Sequence, residues 1–229
     1  QHCYFWLSSG RGLRGVLEEA FSSVGIGLLH SQPVDVTETV PEWFKKSAAK
    51  VYAVPEPVVD THSLLQELAR PHLSRIYYFD SLAFTRDEKV RTVVFTEQGS
   101  GETYMISALA FILTAGVGNQ ELVHTMGYNK TVMQVRPLRH LVVYGQHLPD
   151  LWGHCIDGGK AVASITTHYD SSTGEKVWSI GGEIAEKGST LFRESFIREG
   201  RTLVEKILRG VDFSDTTWGT FDALRAEEP

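Results

Sequence analysis

Residues able to do chemistry gather in the second half of the chain. Gln134, Arg136, Arg139 and His140 flank Pro137, and Gly153-His154-Cys155 follows Trp152. Thr166-Thr167-His168 comes next, then Trp178 and Gly181-Gly182-Glu183. A guanidinium such as Arg136 can hold a carboxylate through two parallel hydrogen bonds, which makes it the first choice for an anion clamp. A neutral imidazole can accept a substrate proton near pH 7, so His154 and His168 are the candidate bases. His140, close to Arg136, is a second candidate for substrate contact. Strand side chains alternate between faces, so His140, His154 and His168 can be aimed into one cavity.

Other chemistries are less well served. His154, Cys155, Asp157 and His168 are suitable metal-ligand types. Their spacing matches neither HExxH nor paired CxxC motifs, and no metal is expected. His154 and Cys155 are neighbours, and on a strand neighbours point to opposite faces. The imidazole is then badly placed to take the thiol proton. The chain has no GxSxG elbow and no GxxxxGK[ST] phosphate loop. Ser9-Gly10-Arg11-Gly12-Leu13-Arg14-Gly15 looks like a GxGxxG turn, but no apolar strand with room for a βαβ unit precedes it.

The elements that must position these residues are legible in the hydrophobic pattern. Ala108 to Leu113 is a short apolar run that reads as a buried strand. It stops at a turn, Thr114 to Asn119, and a helix from Gln120 to Met126 follows. Two glycines at a strand-to-helix turn let the backbone approach a ligand closely. Exposure of the apolar run would remove that support for a ligand at the turn. Apolar residues at Leu13, Val16, Leu17, Ala20, Phe21 and Val24 predict an amphipathic helix ended by Gly25 and Gly27. Pro41 to Lys50 predicts a short helix and Val51 to Val54 a strand. Asp60 can cap a helix over 61–69 with Leu64, Leu65 and Leu68 on its apolar face, and Pro71 should stop it. Ile76 to Phe84 predicts a strand. Arg91 to Thr96 and Thr103 to Ile106 predict a hairpin across Gln98-Gly99-Ser100-Gly101. Leu138 to Tyr144, Ala161 to His168 and Lys176 to Ile180 predict strands, with a polar turn over Asp170 to Gly174. A long helix is expected from Ser189 to Arg209. The pattern is mixed α/β, with a largely antiparallel or mixed sheet in the second half.

A chain of 229 residues that is 42% hydrophobic can bury a good core, in one large domain or two small ones. Its formal net charge of −6 argues against a nucleic-acid partner. No apolar run approaches the roughly 18–20 residues a membrane span needs. Cys3 and Cys155 make no disulfide framework and suit a reducing, cytoplasmic setting. The chain starts at Gln1 in an aromatic cluster and stops soon after Arg225-Ala226-Glu227, so it reads as an internal fragment.

Several pieces stand in a telling order. They are Tyr52-Ala53-Val54-Pro55-Glu56-Pro57-Val58-Val59-Asp60 with Ser63-Leu64-Leu65, then Ala108 to Asn119, then Gln134-Val135-Arg136-Pro137-Leu138-Arg139-His140. Leu148-Pro149 with Gly153-His154-Cys155, Val177 to Glu186 and Arg225-Ala226-Glu227 complete the series. The series resembles the FAD-dependent oxidoreductases of the D-amino-acid oxidase superfamily, a group with glycine and sarcosine oxidases and FAD-linked glycerol-3-phosphate dehydrogenase. The resemblance covers 1–229 and implies an α/β fold, a partial Rossmann-like FAD domain plus a mixed β-sheet substrate domain. Residues 76–127 would lie mainly in the FAD part and 134–186 mainly in the substrate part. Leu82 would meet the adenine end of FAD, and Thr114, Ala115 and Gly116 match the family's Ala-Gly turn beside the cofactor. The implied reaction is hydride transfer from an amine or alcohol, amino-acid- or hydroxy-acid-like, to the flavin. The family's N-terminal GxGxxG segment and its C-terminal glycine-rich flavin segment both lie outside these residues. This stretch alone should therefore hold FAD weakly or not at all. Two other function classes remain: a non-catalytic relative that keeps the fold for binding, and a metal or thiol enzyme built on His154, Cys155 and His168.

Overall fold

The computed structural model describes residues 3–7, 33–54, 57–85, 92–157 and 160–227. The helix expected over Leu13 to Val24, with Gly25 and Gly27, lies outside the described residues, as does the Ser9 to Gly15 stretch. The chain divides into two compact units. One holds Gln1–Val58 and Pro137–Ala223; the other holds Val59–Arg136 and Leu224–Pro229.

The first unit is built on an eight-stranded mixed sheet. Its strands are β1 (Cys3–Leu7), β2 (Val34–Asp35), β3 (Lys50–Val54), β7 (Gln134–Tyr144), β8 (Trp152–Asp157), β9 (Lys160–Tyr169), β10 (Lys176–Gly181) and β11 (Thr217–Glu227). Their spatial order is β11-β7-β10-β9-β8-β1-β3-β2. β1 runs parallel to β8, and the hairpin partners β8, β9 and β10 are antiparallel. One face carries the core. Trp6, Leu141, Val143, Cys155, Ile165, Trp178 and Ile180 are buried there. They pack under α1 (Glu42–Ser47), α4 (Glu183–Gly188) and α5 (Arg193–Ile207), which contribute Phe44, Ile184, Phe196, Val204 and Ile207. In α5 the buried Phe196, Gly200, Val204 and Ile207 follow a three-to-four-residue spacing, so one stripe faces the sheet. Each of its large apolar side chains contributes about 1.5–3 kcal/mol by burial.

Arg139 ties this layer together. Its Nη1 donates to the carbonyls of Gly188 (3.2 Å) and Leu191 (2.6 Å), and its Nε donates to Asp222 (2.6 Å). These carbonyls stand at the junction of α4 and α5. The helix expected over Ser189 to Arg209 is accordingly shorter: α5 begins only at Arg193 after the extended Phe192 and ends at Ile207, with the separate α4 ahead of it. β1, β8 and β11 went unannounced by any alternation.

The second unit contains α2 (Thr61–Ala69) and an antiparallel meander of β4 (Phe79–Phe84), β5 (Thr92–Glu97) and β6 (Thr103–Ser107). The expected hairpin is present. Asp60 accepts a hydrogen bond from the His62 N–H and caps α2. Pro71 does not end the helical path; the chain tightens into a 3-10 turn over Arg70–Arg75. Proline fits a first turn, where its missing N–H would have had no partner. Val93 and Phe95 are buried, and Phe95 stacks on Tyr104 at 5.3 Å.

Ala108 to Leu113 corrects an expectation. It is not a buried strand but irregular backbone, with Leu109 103% and Ile112 87% exposed. A strand needs a partner to take its backbone hydrogen bonds, and an apolar run cannot reveal whether one is there. The turn that follows does form, as a 3-10 turn over Gly116–Gly118 leading into α3 (Asn119–Thr125). With the run exposed, the buried-strand support for a ligand at this turn is gone.

Candidate functional site

The face of the large sheet opposite the helices carries the histidines. Register makes this explicit. Gly181 pairs with Ser164, Ser164 with His154, His154 with Phe5, and Phe5 with Tyr52. His140 extends the row beyond Gly181, since a Cβ added to Gly181 would lie 3.1 Å from its Cε1. His140 and His154 thus stand three strand spacings apart, about 14 Å at the backbone. The floor between them is made of a glycine and a serine. His168 belongs to the same face, opposite Val177, which also faces Tyr144.

Each ring is held. A hydrogen bond joins His154 Nδ1 to Ser164 Oγ (2.8 Å), and Phe5 stacks on the same imidazole at 5.0 Å. Ser164 is itself flanked by Gly182, whose φ of +87° suits glycine and where an added Cβ would stand 3.3 Å from the Ser164 hydroxyl. His140 lies nearly parallel to Phe221 at 4.8 Å. Its Nδ1 is buried with no protein partner. Desolvation holds its pKa below the ordinary imidazole value, so the ring is neutral at pH 7. His168 lines a groove of about 310 Å³ with Tyr144, Tyr169, Asp170, Val177 and Phe221. Cys155, next to His154, points into the core instead. Among the described residues, no three His, Cys, Asp or Glu side chains converge as metal ligands.

The remaining candidates lie in the second unit. Arg136 pairs through Nε with Glu227 Oε2 at 2.9 Å, and Arg225 meets the other oxygen of that carboxylate at 2.6 Å. The anion clamp is therefore engaged by an internal carboxylate. Leu82 sits half-buried in β4, opposite Phe95. Thr114, Ala115 and Gly116 are exposed. Gly116 has a φ of +56° and open space where a Cβ would stand, and Ala115 N–H donates to Asn119 Oδ1 (2.8 Å).

No protein-family model matches the chain. Over 228 residues, 98% of its length, it is 30% identical to the probable FAD-dependent oxidoreductase PA4991 of Pseudomonas aeruginosa, of which it covers 56%. The chain is similar to FAD-dependent oxidoreductases. The crystal structure of that relative matches 100% of the chain with a TM-score of 0.78 at 25% identity, again over 56% of the relative. Glycerol-3-phosphate dehydrogenase from Bacillus halodurans, solved with FAD, matches 98% of the chain with a TM-score of 0.51. At 13% identity over 44% of that protein, this second likeness speaks for the fold alone. The chain thus spans about half the length of these relatives.

Sequence reasoning missed Ser164 and Phe221. Ser164, Thr166 and His168 share one parity of β9, so alternation pointed to Ser164. Phe221 lies on β11, a strand whose glycine and scattered charges hide its pattern.

Proposed function

We propose that this chain is part of a FAD-dependent oxidoreductase of the D-amino-acid oxidase superfamily that takes a hydride from an amine or alcohol substrate. The observation that carries the reading is the 30% identity to PA4991 along nearly the whole chain. The residues at the Gly116 turn suit a cofactor edge. The backbone is exposed there, and the left-handed glycine has nothing where a side chain would be. Leu82, Thr114, Ala115 and Gly116 would line the cofactor, with the family resemblance as their support. Bound FAD supplies the hydride acceptor.

The chain's own residues orient the substrate and handle its proton. His154 or His168 accepts the proton from the substrate nitrogen or oxygen as the C–H bond is broken. Ser164 and Phe5 restrict the His154 ring to one orientation, which lowers the entropy lost in reaching a reactive geometry. His140, kept neutral by burial, presents an uncharged ring to the substrate. Arg136 receives an anionic substrate group by exchange with Glu227.

The test is anaerobic addition of amines and alcohols to the purified, flavin-loaded protein while flavin absorbance is followed. Bleaching by one class is expected. His154→Ala or His168→Ala should slow bleaching by about 10²–10⁴-fold at the true base. A longer protein containing this chain that purifies without flavin, or is bleached by neither class, overturns the reading.

A further inference from the structure

The groove beside His168 has a chemistry of its own. It lies where β7, β9, β10 and β11 meet on the face away from the helices. Two of its walls are aromatic rings, Tyr144 and Phe221; Tyr169 lines it from β9 with its hydroxyl turned to Asp150. Its one carboxylate is Asp170, and neither Lys nor Arg lines it. Aromatic faces carry negative potential and attract cations, most strongly where water is partly excluded.

Asp170 is a fixed charge. Its Oδ1 accepts from Ser172 N–H (2.8 Å), Thr173 N–H (3.0 Å) and the Ser172 hydroxyl. These bonds hold the carboxyl down to about 2, so it is anionic throughout the neutral range. The three bonds from Ser172 and Thr173 at Oδ1 fix the carboxylate in its turn. The neighbouring cation, Lys176, is engaged at 2.9 Å by Asp150, which also accepts from the Tyr169 hydroxyl at 2.8 Å. No Lys or Arg side chain lines the groove to balance Asp170.

We propose that this groove binds a small organic ammonium ion, its charge against Asp170 and the faces of Tyr144 and Phe221, its apolar body on Val142 and Val177. The volume of about 310 Å³ suits a small molecule rather than a peptide. Ser179 on the floor offers a hydroxyl to an N–H. The ligand class differs from that of the Arg136 cluster, whose two guanidinium groups select anions. His168, a candidate base of the oxidoreductase reading, lines the groove, but binding here needs no flavin and is measured separately from turnover.

The experiment is a titration of the purified protein with three probes of one shape: benzylamine, benzyl alcohol and benzoate. Affinity is read by calorimetry at pH 7, with Asp170→Asn and Tyr144→Leu as variants. Asp170→Asn removes the charge and keeps an oxygen for Ser172 and Thr173. Benzylamine should bind about tenfold tighter than benzyl alcohol, and benzoate should not bind, in line with one carboxylate and aromatic faces acting on a cation. Asp170→Asn should erase the preference for the amine and leave benzyl alcohol unchanged. Tyr144→Leu should weaken benzylamine several-fold. Equal affinity for the three probes, no binding of benzylamine, or a preference that survives both substitutions overturns the proposal.

Discussion

At the scale of single residues, the open face depends on what is small as much as on what is reactive. Gly181 leaves room for the His140 ring to lie flat between the strand and Phe221. A Cβ there would already stand 3.1 Å from Cε1 and 3.3 Å from Nδ1. Gly181→Val should push the imidazole off Phe221 and cost about 1–3 kcal/mol, as overpacking does; urea unfolding measures the loss. The buried ring has a second consequence. Its folded pKa lies below the ordinary value of 6.5 because burial disfavours the charged form. The unfolded chain therefore binds this proton at higher pH than the folded chain. The stability due to the neutral ring is complete above 6.5 and declines as pH falls through that value towards the folded pKa. His140→Phe should flatten this part of the pH dependence. Parallel urea midpoints from pH 8 to pH 5 for both proteins would reveal it; identical slopes would count against it.

At the scale of elements, Arg139 is the joint that sets α4 and α5 against β7 and β11. Its guanidinium serves two carbonyls and Asp222 at once, and Asp222 also meets Arg193 at 3.3 Å. Lysine has no planar fork and cannot reach all three partners. Arg139→Lys should leave at least one half-buried carbonyl unpaired and lower stability by about 1–3 kcal/mol in denaturant titration. A melt unchanged from the parent would show that the helix junction holds itself. This joint was illegible in the sequence, because nothing near Gly188 or Leu191 announces a distant arginine. β7, β9 and β10 were legible because one face is core and the other is not, so their side chains alternate. β1 gave no such signal, since Cys3, Phe5, Trp6 and Leu7 are all buried and the run is apolar on both faces. The candidate site was legible to the same degree. His140, His154 and His168 stand on alternating strands and could be named. Ser164 and Phe221 act through register with other strands, which a single sequence does not display.

At the scale of the whole molecule, the second unit has little core of its own and much apolar surface. Leu65, Leu68, Leu73, Tyr78, Met105, Leu109 and Ile112 are all exposed. Surface of this kind is costly in water and ordinarily marks a place where other protein packs. The same unit offers little to a dinucleotide pyrophosphate, which is best met by free backbone N–H groups at the start of a helix after a glycine turn. At the Gly116 turn, Ala115 N–H is taken by Asn119 and Gly118 N–H by the Ala115 carbonyl, and the helix that follows is seven residues long. Two outcomes are expected of these 229 residues expressed alone. They should bind an apolar dye and self-associate in sedimentation. They should also lose added FAD on desalting, while a longer protein that supplies a strand, GxGxxG turn and helix ahead of them keeps it. Flavin absorbance after desalting decides between the cases. Stoichiometric FAD on the short chain would mean that the Gly116 turn and its neighbours hold the cofactor without that fingerprint.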